Sequence, residues 1–155
     1  DNKKILVTGG KGFLGKHLIA KLIKKGVKKE NITVPVFGEY DLRKMDDCQK
    51  AMVNQNIVIH LAGVFGSIDY KKKHPGKVFY DNAAMALNLI EAARVNNIEK
   101  FIGIGSVASY PKVTPLPSQE KRFVVGISGR NQYCIWLSKK VYVSPRPSLS
   151  ARVWI

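Results

Sequence analysis

Apolar and polar positions along the chain fall into short apolar runs separated by longer amphipathic stretches. Residues 5–8 (ILVT) form such a run and break at Gly9 and Gly10, the pattern of a strand buried on both faces. Leu14, Leu18 and Leu22, with Ile19 and Ile23 beside them, then recur at helical spacing, and the stretch closes at Gly26. A second strand is expected over 32–37 (ITVPVF), where Pro35 is tolerated only near an edge or an end. A third is expected over 56–63 (NIVIHLAG), stopping at Gly63, and a fourth over 100–106 (KFIGIGS). Between them Asp81 or Asn82 can cap a helix in which Ala83, Leu87, Ile90 and Ala93 share a face. Strands alternating with helices at this spacing imply an α/β fold, a parallel sheet covered on both faces. About four strands amount to half of a doubly wound domain.

Beyond Ser109 the pattern deteriorates. YPKVTPLPSQ is a proline-punctuated loop, no helical or alternating period follows it, and Pro145 and Pro147 forbid a continuing helix. The charge changes at the same place. All eleven acidic residues lie between Asp1 and Glu120; residues 1–121 carry 20 Lys and Arg, a balance of +9, whereas residues 122–155 carry 6 and no acid. The chain therefore divides into 1–121, a partial α/β domain, and 122–155, an irregular tail of different character. The net +15 does not by itself mean nucleic acid, because the lysines are scattered without interleaved aromatics and read as solvated surface. No run of eighteen apolar residues suggests a membrane span, and the first residues enter a strand-like segment with no signal-peptide core, so the expected location is cytoplasmic. Two cysteines, Cys48 and Cys134, lack metal-like spacing, so no metal site is expected.

The candidate chemistry sits first in the glycines. VTGGKGFLG places Gly9, Gly12 and Gly15 in the order GxxGxxG, directly after a strand and opening a helix. The first lets the chain turn, the second lets backbone approach a pyrophosphate, and the third lets helix pack on strand, a Rossmann-type arrangement. The helix N-terminus then offers N–H groups and a positive dipole end to phosphate.

At these residues the chain resembles the extended short-chain dehydrogenase/reductases, and within them the GDP-L-fucose synthase group and related nucleotide-sugar epimerases and reductases. The supporting stretches are TGGKGFLG (8–15), EYDLRK (39–44), VIHLAG (58–63), HPGKVFYDN (74–82), NLIEAAR (88–94) and GSVASYPK (105–112). The resemblance implies NADP or NAD as cofactor, a nucleotide-sugar substrate and a homodimer. It places Gly9, Gly12, Phe13, Leu14 and Gly15 at the pyrophosphate, Asp41 and Leu42 near the adenine, Leu61, Ala62 and Gly63 on the ribose side, and Asn82 beside the active site. Ser106, four residues before Tyr110, matches the serine that hydrogen-bonds the reacting sugar oxygen. His60 reads as a packed strand-end histidine, and His17 and His74 as surface residues. Two positions depart from the group: Ala108 stands where a cysteine acid/base is common, and VPVFG stands where an arginine often meets a 2′-phosphate.

The family's chemistry also needs a YxxxK pair on one helix face, the lysine charge lowering the tyrosine pKa for proton exchange. The nearest pairs, Tyr133 with Lys139 or Lys140, are separated by six and seven positions, not four. A change of reading frame near Lys121 would account for the gap, with a genuinely divergent tail as the other reading. If NQYCIWLSKK is encoded AAC CAA TAC TGC ATA TGG CTT AGC AAA AAA, starting one nucleotide later gives TNTAYGLAK. The same offset permits DLWxGYPEETNTAYGLAKK from Arg122 and QAYRQEYG near the C-terminus. Trp136 and Trp154, with one codon each, both force a glycine where the family-like string has one. On this reading the chain as written is inactive and binds dinucleotide weakly; the alternative is a noncatalytic NAD(P)-binding protein with a native tail.

Overall fold

A computed structural model of the chain describes residues 2–105. The elements run β1 (Ile5–Thr8), α1 (Phe13–Lys24), β2 (Ile32–Thr33), α2 (Met45–Met52), β3 (Ile57–His60), α3 (Ile68–Lys73), α4 (Pro75–Val95) and β4 (Lys100–Gly103). All pairings are parallel, and the strand order is β2-β1-β3-β4. Four parallel strands with helices between them are the expected α/β architecture. The predicted boundary at residue 121 and the tail from 122 lie outside the described residues.

Alternation in β1 sends side chains to two separate cores. Leu6 faces α2 and α4, where it packs with Cys48, Met52, Val58, Met85, Leu89 and Phe101. Ile5 and Val7 face the other way, with Ile59, onto Leu18, Ile19 and Leu22 of α1. Both faces of the central strands are thereby covered, which is why they are apolar up to their last residues, Thr8 and His60. Leu6, Val7 and Val58 are fully buried, and each stabilises the fold by about 1.5–3 kcal/mol relative to leaving it exposed.

The structure corrects several expected boundaries. β2 is only two residues long, because Pro35 has no N–H to give the ladder and the chain leaves the sheet before it. The third and fourth strands are trimmed to Ile57–His60 and Lys100–Gly103. The helix expected to begin at Asp81 or Asn82 begins instead at Pro75, where a missing N–H costs nothing. Asp81 and Asn82 are therefore interior to α4 and buried. Its buried face runs through Val78, Asn82, Met85, Ala86, Leu89, Ala92 and Ala93, whereas Leu87, expected on that face, is exposed. The helix ends at Val95, and Asn97 just beyond its C-cap lies in the left-handed region (φ 51°), with Ile98 N–H donating to the Ala93 carbonyl at 2.9 Å. Two helices, α2 and α3, were not expected at all.

Candidate functional site

Because the strands are parallel, the segments after β1, β2, β3 and β4 leave from one edge of the sheet. The first is the glycine turn. Gly9 has φ 70°, and a Cβ there would lie 2.7 Å from the Ala62 nitrogen and 2.8 Å from the Leu61 carbonyl carbon. Only glycine combines that dihedral with such close backbone approach. A Cβ on Gly15 would run into the Gly9 carbonyl oxygen and the Gly10 backbone, so α1 packs directly on its own turn. Gly12 N–H donates to the Gly9 carbonyl at 2.9 Å and closes the turn. Gly12 is also the N-cap of α1; no side chain caps the helix and its first turn has no acidic residue. Within that first turn no acidic side chain answers the positive end of the helix dipole.

The segment after β3 is fixed to this turn. Thr8 Oγ1 lies 2.6 Å from His60 Nδ1, and the Ala62 N–H donates to the same hydroxyl at 3.2 Å. Thr8 and His60 are both buried, so this contact joins the C-terminal ends of β1 and β3 out of contact with water. His60 is thus the packed strand-end residue expected. His17 and His74 are exposed, His17 with Nδ1 2.9 Å from the Phe13 carbonyl. Leu61 and Ala62 lie beside Gly9, and a Cβ on Gly63 would lie 3.2 Å from Asn82 Oδ1. Asn82 reaches the same loop from α4: its Oδ1 accepts from the Val64 N–H at 3.0 Å, and its Nδ2 donates to the Val64 and Val78 carbonyls at 3.1 and 2.7 Å. Its amide thereby clamps the loop as a strand neighbour would.

The segment after β2 begins with Val34, whose side chain occupies the space a Cβ on Gly10 would need. It continues to Asp41, which no sequence signal connected to Arg43 or to α4. Arg43 grips Asp41 with Nε on Oδ1 and Nη2 on Oδ2, both at 2.8 Å, and its own N–H donates to Oδ1 at 3.1 Å. Its Nη1 donates to Asp81 Oδ1 of α4 at 3.3 Å, and Lys77 donates to both oxygens of Asp81 at 3.0 and 2.9 Å. The Arg43 hydrogen bond holds the Asp41 carboxyl down at about 2, against partial desolvation, and its two carboxylates raise Arg43 itself. The ring of Phe37 lies under the guanidinium, 5.7 Å from its carbon. Leu42 is buried in the α2/α4 core, and its carbonyl accepts from the Cys48 thiol. Burial pushes that thiol up to about 12, so Cys48 is inert.

Phe13, Phe37 and Phe65 are all exposed, each in or just past a segment leaving β1, β2 or β3. All three follow strand ends at the same sheet edge and leave apolar surface exposed there. Sequence reading singled out only Phe13. Ser106, Ala108, Tyr110, Tyr133, Lys139 and Lys140 lie outside the described residues. Among the described residues no group of three His, Cys, Asp or Glu could hold a metal ion, and no helix is long and apolar enough to cross a membrane.

Similarity to known proteins agrees with this geometry. GDP-L-colitose synthase of Yersinia pseudotuberculosis is 37% identical over 111 residues, covering 70% of this chain and 35% of that protein. GDP-mannose 3,5-epimerase of Arabidopsis thaliana is 30% identical over 128 residues, covering 75% of this chain and 34% of its own length. Among solved structures, a GDP-L-fucose synthetase from Naegleria fowleri superposes with a TM-score of 0.79 at 25% identity, covering 91% of this chain and 42% of that one. A GDP-mannoheptose C4 reductase from Campylobacter jejuni, solved with NADP bound, gives 0.80 at 25% identity, covering 89% and 41%. The chain spans only about a third to two-fifths of the length of the curated relatives it matches. The model of the NAD dependent epimerase/dehydratase family matches residues 5–133, and the chain belongs to that family.

Proposed function

We propose that the described region is the NAD(P)-binding portion of a nucleotide-sugar reductase or epimerase, of the kind that acts on GDP-linked sugars. The observation that carries this reading is the junction of β1 with α1. A glycine turn too tight for any Cβ delivers an uncapped helix N-terminus to the C-terminal edge of a parallel sheet. Such an edge is where dinucleotide pyrophosphates bind. Gly9, Gly12, Phe13, Leu14 and Gly15 would meet the pyrophosphate, Asp41 and Leu42 the adenine, and Leu61, Ala62, Gly63 and Asn82 the ribose and nicotinamide side. The cofactor supplies or takes a hydride when bound; Ser106 would orient the sugar oxygen.

Beyond Ser106 the chain as written carries no YxxxK pair, that spacing occurring instead at Tyr40 and Lys44, and residues 122–155 permit a YGLAK-containing string when read one nucleotide along. We therefore read the tail as out of frame and the chain as a dinucleotide binder with negligible turnover. A noncatalytic NAD(P) sensor is the second reading, favoured by the same missing pair. Titration with NADH and NADPH, beside a chain with the frame restored from Lys121, separates them. The first reading expects saturable binding by both chains and turnover of a GDP-4-keto sugar by the restored one alone. Native codons that forbid YGLAK one base along would leave the sensor; an absence of binding by folded protein removes both.

A further inference from the structure

Between Asp1 and Glu30 the sequence has nine lysines and no acidic residue. Along the sequence they read as scattered, but α1 and the turn after it gather six of them. The apolar side of α1, Leu18, Ile19 and Leu22, packs on the sheet. Positions 16, 20 and 24 therefore form one outward row, and positions 17, 21 and 25 a second beside it. Lys16, Lys21, Lys24 and Lys25 fill four of those six places, and Lys28 and Lys29 continue the strip past the helix; all six lysines are exposed. The strip runs about 14 Å along α1 before it reaches Lys28.

Other basic side chains are matched with acids: Lys50 with Asp47, Lys77 with Asp81, Arg94 with Glu91. Among the described residues none of the six strip lysines is in an ion pair. Residues 106–155 hold a single acid, Glu120, too little charge to neutralise the strip. The helix dipole accounts for Lys21 and Lys24 in the last turn. It does not account for Lys16, close to the positive end, or for Lys28 and Lys29 beyond the helix. Lys21 and Lys25, one turn apart, repel each other and weaken α1. A basic array that nothing neutralises and that works against its own helix is the electrostatic footprint of a polyanion site.

We propose that this face of α1 binds the phosphodiester backbone of single-stranded nucleic acid without regard to sequence. Lysines four positions apart stand about 6 Å apart along the axis and can meet successive phosphates as point charges. No Phe, Tyr or Trp lies between Lys16 and Lys29 to stack on a base. The array is long and two rows wide, the shape of a strand and not of a lipid plane. It lies along the helix, away from the glycine turn, and does not depend on the dinucleotide reading.

Fluorescence anisotropy of a labelled oligothymidylate of about 20 nucleotides, titrated with the full chain at several salt concentrations, tests this. Log affinity should fall linearly with log salt. Lys21→Gln/Lys24→Gln/Lys25→Gln/Lys28→Gln should flatten the slope by about 3 and weaken binding more than about tenfold at low salt. Lys44→Gln/Lys50→Gln/Lys72→Gln/Lys73→Gln removes as many exposed lysines from outside the strip and should change the slope by less than about 1. Arginine at the same four strip positions should restore the slope, which damage to α1 would not allow. Equal flattening by the two glutamine sets would show that overall charge binds the strand, and the proposal would fall. It also falls if the unmodified chain does not bind the oligonucleotide, or if saturating NADH displaces it. Binding of phosphatidylserine vesicles with no binding of the oligonucleotide would assign the strip to a lipid surface and overturn it as well.

Discussion

The two edges of the sheet are built on opposite plans. At the N-terminal edge, side chains tie strand to strand: Asn56 Oδ1 accepts from the Lys4 N–H at 2.9 Å, its Nδ2 donates to Glu99 at 3.1 Å, and Lys3 pairs with Glu99. The backbone joins in, with Asn56 and Ile57 N–H both donating to the Lys4 carbonyl and Glu99 N–H to the Asn56 carbonyl. At the C-terminal edge the turn after β1 is shaped by glycine, α1 starts without a side-chain cap, and three phenylalanines face solvent. The first edge spends its polar groups on itself. The second leaves donors and apolar rim for something else, and the buried Thr8–His60 contact keeps it in shape from beneath. On the proposed reading, stability and binding fall to opposite ends of the same four strands.

Substitutions at the two edges should therefore separate, and the largest effect is expected at Gly15. Gly15→Val drives a branched side chain into the Gly9 carbonyl and the Gly10 backbone. Affinity for NADH should fall by more than about 100-fold, a loss of the order that forced backbone rearrangement and strain produce. Calorimetric titration checks it, and near-normal affinity would mean the turn does not touch the cofactor. Thr8→Val comes next. It leaves the Ala62 N–H and His60 Nδ1 short of a shared buried partner, costing about 1–3 kcal/mol in urea unfolding, and it should weaken NADH binding as well because the edge loses its support.

Asn56→Ala is the matched change at the other edge. It should cost about 1 kcal/mol of stability and leave NADH affinity unaltered; a change in affinity would show that the edges are not independent. The smallest effect is acid sensitivity. Asp41 sits at about 2 when folded against an ordinary 3.8. A depressed carboxylate contributes stability that is complete above about pH 4 and is lost as pH falls through about 2. Acid unfolding of the unmodified chain and of Asp41→Asn should accordingly converge below pH 2 and diverge above pH 4. Parallel curves throughout would show that the pair adds nothing.

How much of this was readable beforehand follows from how local each cause is. The glycine turn was legible because Gly12 and Gly15 answer demands made within a few residues of themselves and Gly9 needs its positive φ locally, although the Leu61 and Ala62 backbone that Gly9 also meets lies far along the chain. β1 was placed correctly for the same reason, as an unbroken apolar run with glycines at its end. α2 escaped although Met45, Cys48, Ala51 and Met52 have helical spacing; eight residues give too few turns for a period to stand out. The start of α4 was misplaced because Asp81 and Asn82 look like caps. Their polar atoms are instead satisfied inside the structure by Arg43, Lys77, Val64 and Val78. The Arg43–Asp81 pair joins residues 38 apart in sequence, and no local pattern announces a contact of that kind. Nor does the alphabet of residues say that Phe37 and Phe65 are left in solvent.

The central claim is that the β1/α1 junction receives the diphosphate of a nicotinamide dinucleotide. Titration of the folded chain with NADH and NADPH, followed by competition with ADP-ribose and with nicotinamide riboside, tests it most directly. Saturable binding of at least one dinucleotide, displaced by ADP-ribose and not by the riboside, is the predicted result. A chain that is folded by circular dichroism yet binds neither dinucleotide, or whose bound dinucleotide ADP-ribose fails to displace, would contradict it.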